Sequence, residues 1–125
     1  DGDSDVLHVI LVGPRRIRAL NRRFLGHDRV IDVIAFDLRD PGRPVAGPPA
    51  AAAEIYVCLD AAVAAARDFG TRPGYEVVLY IVHGLLHLAG EDDHTPGQQR
   101  RMRAAERRIM GRLRTRLNLD SLFEE

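Results

Sequence analysis

At 125 residues the chain is long enough to bury a core without staples, and its single cysteine, Cys58, excludes an internal disulfide framework. A hydrophobic share of 46% is that of a soluble globular protein, and no apolar run approaches the ~20 residues that span a bilayer. The formal net charge is zero, which argues neither for nor against nucleic acid, but all 18 basic residues are arginine, the better fork for phosphate.

Residues 5–12 are β-branched and aliphatic and read as a first strand, broken by Gly13-Pro14. Pro14 suits a first helical position, and Ile17, Leu20 and Phe24 follow at helical spacing, so a helix is expected over 14–24. A turn at 26–29 leads to a second strand over 31–38, with Ile31, Val33 and Ala35 on the plainly apolar face. Residues 39–53 hold four prolines and two glycines and read as a mobile surface loop within one domain of 1–125. A third strand is expected over 54–59. Asp60 is a suitable N-cap for an alanine-rich helix over 61–69, with Gly70 at its C′ position.

From Pro73 to Ala89 the pattern is helical and apolar nearly all round, which marks a buried central helix ended by Gly90. Glu76 falls in its first turn, where a carboxylate complements the helix dipole. Thr95 and Gln98 have the spacing of a capping box, and a last helix is expected from there to about Leu117. The order βαββααα predicts a small α/β (α+β) domain: a small mixed sheet packed with helices around the central helix.

That central helix carries the chemistry. His83 and His87, four residues apart, present both imidazoles on one face, ~5–6 Å apart at Cβ, the bite needed to hold one metal ion. Gly90 then turns the chain, and Glu91-Asp92-Asp93-His94 supplies oxygen and nitrogen donors. Two histidines and one more protein ligand leave a fourth zinc position open, the catalytic arrangement. The alternative for a histidine on an apolar helix is a satisfied core residue, and two such residues would each need a buried partner. A zinc-protease helix places a glutamate after its first histidine as general base, whereas Gly84 stands here, so a peptide-hydrolase reading loses its proton acceptor.

The run His83-Gly84-Leu85-Leu86-His87-Leu88-Ala89-Gly90 resembles the H-G-x-L-H-L-x-G-x-D-H signature of the YbeY family, bacterial metal-dependent endoribonucleases of rRNA maturation. The segments Leu20-Asn21 to Phe24, Gly26-His27-Asp28, Asp32 to Phe36 and Glu54-Ile55 are similar to the family's upstream pattern. The resemblance implies a small α/β domain holding one Zn²⁺ per chain. It implies cleavage of single-stranded RNA, in 16S rRNA 3′-end maturation and ribosome quality control; a cytoplasmic location with no membrane partner is the expectation from composition. It also places the third ligand three positions after the motif glycine, at Asp93, with the adjacent His94 as the alternative. The family's arginine after the aromatic of the upstream helix is Leu25 here; Arg22, Arg23 and Arg29 are the candidates to replace it. Under this reading a zinc-bound water does the chemistry, and Glu54, Glu91 and Asp92 are candidates to orient the histidines. Competing readings are a zinc hydrolase of another substrate class and a non-enzymatic, ribosome-associated metal-binding protein.

Arginines crowd two helices: Arg15, Arg16, Arg18, Arg22 and Arg23 in the first, and eight between Arg100 and Arg116 in the last. Such clusters track a phosphate backbone, although solvated helix faces look the same in sequence. Phe24, Phe36, Tyr56, Tyr75 and Tyr80 read as core, so base-specific recognition is not expected; shape or ribosomal context is.

Overall fold

The computed structural model describes residues 6–39, 52–119 and 122. Three strands form one mixed sheet in the order β1 (Leu7–Val12), β3 (Ala53–Cys58), β2 (Val33–Asp37). β1 runs parallel to β3, with Val9 opposite Ile55; β2 runs antiparallel to it, with Ala35 opposite Ile55. The helices are α1 (Pro14–Leu20), α2 (Leu59–Phe69), α3 (Pro73–Leu88) and α4 (Pro96–Arg116). The element order is the expected one, with bounds shifted by a residue or two at most ends. Most of the proline-rich loop, residues 40–51, lies outside the described residues.

Strand alternation distributes the core. Ile55 and Val57 of β3, with Val33 and Ala35 of β2, point to one face and pack on Ala62, Val77, Tyr80 and Ile81 of α2 and α3. Ile34 and Phe36 of β2, with Cys58, point to the other and pack on Ile17 and Leu20 of α1. Both faces of β2 are therefore apolar and covered, where only one was expected; helices lie on both sides of the sheet. A third cluster joins α3 to α4 through Val82, Met110 and Leu119. The layers run α1, sheet, α2 with α3, then α4.

Two local expectations change. Asp60 is not the N-cap of α2: the helix starts at Leu59 with Cys58 as cap and no side-chain capping bond, so Asp60 sits inside the first turn, where its charge still favours the dipole. The first helix does not stop at Phe24 as a regular α-helix. After Leu20 it widens into a π-helical turn over Asn21–Leu25, closed by Gly26 at φ 75°. Asn21 is buried, and its side-chain amide donates to the Arg29 carbonyl at 3.1 Å. Asn21 thus ties the π-helical turn to the segment before β2.

Candidate metal centre

Gly84 explains how α3 comes to lie so close to the sheet. A Cβ at this position would sit 3.2 Å from Ile55 Cδ1 and 3.5 Å from the Ala35 Cβ. The glycine therefore faces β2 and β3, and His83 and His87 flank that contact line on α3. The same placement shows why no general base belongs here: a side chain at position 84 would enter the core.

The two imidazoles meet with their Nε2 atoms 3.0 Å apart and their rings 76° from coplanar. Asp93 completes a triangle, with its Oδ2 3.6 Å from each Nε2. A tetrahedral zinc with bonds of about 2.0–2.2 Å would place its ligand atoms about 3.3–3.6 Å apart, so the three edges fit one ion with little movement. The side chains are 27%, 33% and 37% exposed, which leaves solvent access on one side. Among the described residues these three are the group of potential ligands that converges in this way.

The loop that delivers Asp93 is held at both ends. Gly90, at φ 97°, takes a left-handed conformation that other residues adopt at a cost, and Glu91 N–H donates to the Leu86 carbonyl. Downstream, the capping box forms: Thr95 Oγ1 accepts from Gln98 N–H, and the Gln98 side chain accepts from the Thr95 and His94 amides. Gln99 Nε2 donates to the Asp93 carbonyl at 3.1 Å. These bonds aim Asp93 inward and His94 outward; the His94 imidazole is 81% exposed and lies 4.0 Å from Asp92.

Glu106 was not among the sequence candidates, yet it makes the shortest contact in the site. Its Oε2 lies 2.5 Å from His83 Nδ1, on the side of the ring opposite His87. That hydrogen bond raises the His83 pKa above its ordinary 6.5, outweighing the opposing effect of burial; the Asp93 charge adds to the rise. Glu106 comes from α4, 23 residues away in sequence. Its signal was a lone carboxylate in an arginine-rich helix, at a position that the fold of α4 turns toward α3. Among the sequence candidates for orienting the histidines, Glu54 instead accepts from the Tyr56 hydroxyl on β3, and Glu91 and Asp92 are exposed.

A hollow of about 320 Å³ opens beside the three converging residues, lined by His83, Asp93, Gln99, Met102, Arg103 and Glu106. The three arginines considered as replacements at Leu25 lie elsewhere. Arg22 lines a different hollow with Arg15, Arg18 and Asp28; Arg29 lines another with Asp32 and Tyr80; the Arg23 guanidinium sits 5.1 Å over the Phe24 ring.

Helices packed on both sides of a small mixed sheet, with two helix histidines and a loop aspartate brought to one point, define a small α/β domain with a candidate metal centre. The family profile described as Endoribonuclease YbeY matches residues 3–114, and the chain belongs to that family. It is 42% identical over 100 residues to an endoribonuclease YbeY of Anaeromyxobacter sp. (strain Fw109-5), covering 80% of this chain and 50% of that protein. It is 37% identical over 109 residues to the Thermus thermophilus protein of the same name, covering 87% and 76%. The solution structure of a Thermotoga maritima protein superposes with a TM-score of 0.53 at 31% identity, over 98% of this chain and 79% of that one. Against the Anaeromyxobacter relative, the chain spans about half the length.

Proposed function

We propose that this chain is a zinc-dependent endoribonuclease that hydrolyses single-stranded RNA, with His83, His87 and Asp93 as the ligands of one zinc ion. The observation that carries the reading is the convergence of two imidazole nitrogens and one carboxylate oxygen within 3.6 Å of one another. The name shared by the relatives supports RNA as the substrate. When bound, zinc supplies Lewis-acid stabilisation of the phosphoryl oxygens and lowers the pKa of water at its open position.

The chain's own residues prepare that position. Glu106 accepts the His83 Nδ1 proton in a hydrogen bond, which fixes the ring and leaves the Nε2 lone pair for the metal. Gly90 and Gln99 bring Asp93 to the third corner and keep it there. His94, held outward, stays out of the ligand set. Gly84 faces the core, so proton transfer to a residue after the first histidine, as in a zinc protease, has no place here. Tyr80 keeps its proton at neutral pH, its pKa pushed up to about 12 by burial and the nearby Asp32 and Glu76 charges.

The biological setting we infer is maturation of the 16S rRNA 3′ end and ribosome quality control in the cytoplasm, with the small ribosomal subunit as partner. Support comes from family membership. The test is incubation of zinc-loaded protein with single-stranded RNA, with and without chelator, beside His87→Ala. Cleavage that needs both the metal and His87 is the expected result; cleavage that survives the substitution contradicts it. Water attack leaves no 2′,3′-cyclic phosphate, so finding that end group would replace hydrolysis by attack of the RNA's own 2′-hydroxyl.

A further inference from the structure

The chain lacks the family arginine at Leu25, and none of the three nearby arginines reaches the hollow beside the ligands. Arg103 does, from the opposite wall. It is exposed, and its closest described partner is neutral: Nη2 lies 3.5 Å from Gln99 Oε1. Arg100 and Arg107 fall three residues before it and four after it, on the same face of α4. Among the described residues none of the three is ion-paired to a carboxylate. The one acidic side chain within α4, Glu106, is turned to His83.

We propose that Arg100, Arg103 and Arg107 form the surface on which the phosphate backbone of a single-stranded RNA lies, with Arg103 holding the phosphate next to the metal ligands. The proposal takes from the reading above only that the site receives RNA. Three features favour this face. Like charges at i,i+3 and i,i+4 oppose helix formation, so the row works against the stability of α4 and is relieved by a polyanion. Steps of three and four residues advance roughly 4.5–6 Å along the helix, which lets consecutive arginines reach different phosphates of one strand. And the middle residue of the row, Arg103, lines the hollow beside His83 and Asp93. The other arginine cluster lacks this continuity: α1 packs on the opposite face of the sheet from α3, and Arg18 is already paired bidentately with Asp28.

The surface takes the place of the missing arginine without restoring its position. Guanidinium groups on a solvent-facing helix bind phosphate without reading bases, which suits a hollow with no phenylalanine or tyrosine among its lining residues.

The test measures binding of a fluorescein-labelled single-stranded RNA by anisotropy in chelator, so that no cleavage intervenes, across a salt series. It is repeated for Arg100→Gln/Arg107→Gln, for Arg103→Gln and for Arg15→Gln/Arg16→Gln. Zinc affinity of every variant is measured by competition with a chromophoric chelator. Expected are about a tenfold weakening for Arg100→Gln/Arg107→Gln and a log–log salt slope shallower by about 0.7 per arginine removed, with zinc affinity unchanged. Arg103→Gln should in addition lower kcat of the zinc-loaded protein, and Arg15→Gln/Arg16→Gln should change little. Binding and salt slope that stay at wild-type values in the α4 variants overturn the proposal, and so does a larger loss in Arg15→Gln/Arg16→Gln. Wild-type protein that binds RNA through α4 but never cleaves it with zinc would sink the endoribonuclease reading and leave this surface standing.

Discussion

The two helices that wall the site, α3 and α4, do different work and announce it differently. α3 is apolar, pressed onto the sheet through Gly84, and presents its two histidines by spacing alone. α4 is polar, rests on α3 through Met110 and Ile109, and contributes Glu106 and Arg103 only because tertiary packing turns them toward the same hollow. On our proposal, one helix carries two of the three metal ligands, and the other decides how His83 is oriented and what approaches the site. A local pattern can encode the first role. The second depends on how two helices meet.

This division of labour is most exposed on the α3 side. His87→Ala removes one of three ligands, and zinc-dependent RNA cleavage should fall by at least about 10³-fold, because the activated water is lost with the ion. Retained zinc-dependent cleavage would mean that the spacing on α3 is not what holds the metal.

On the α4 side, Glu106→Gln should weaken zinc binding by about 10–100-fold while the protein stays folded, as read by chelator competition and circular dichroism. The pH dependence adds a second readout. His83 has its pKa raised by Glu106, and zinc must displace the proton on that ring. Zinc affinity is therefore lost as pH falls through the raised value. In Glu106→Gln the midpoint should move down toward the ordinary 6.5. In the metal-free protein the sign is reversed: the charged His83–Glu106 pair stabilises the fold fully below about pH 6.5, and that contribution fades as pH rises through the folded value.

Smaller effects separate packing from chemistry. Gly84→Val forces a branched side chain against Ile55 and Ala35 and should destabilise the metal-free protein by about 1–3 kcal/mol in chemical denaturation. Thr95→Ala removes one half of the capping box at the start of α4 and should cost about 1 kcal/mol.

How much of this was legible in the sequence follows the same division. The i,i+4 histidines, the turn at Gly90, the capping box at Thr95 and the element order are short-range patterns, and the structure places each where those patterns put it. The offset from Gly90 to Asp93 came from the family resemblance; the structure adds that the His94 amide donates to Gln98 and Gln99 donates to the Asp93 carbonyl, with Asp93 beside the histidines and His94 exposed. Glu106 was not legible, because no local rule links it to a histidine 23 residues earlier. The second apolar face of β2 was missed because Asp32 interrupts the alternation just before the strand begins at Val33. The misplaced cap at Asp60 reflects a helix that starts one residue earlier than its best capping side chain.

Whether two histidines and Asp93 hold one ion is decided by zinc stoichiometry of purified protein, measured side by side for wild type, Asp93→Ala and His94→Ala. One zinc per chain is expected in wild type and in His94→Ala, with loss of the ion in Asp93→Ala. Zinc retained by Asp93→Ala but lost from His94→Ala would contradict the ligand set.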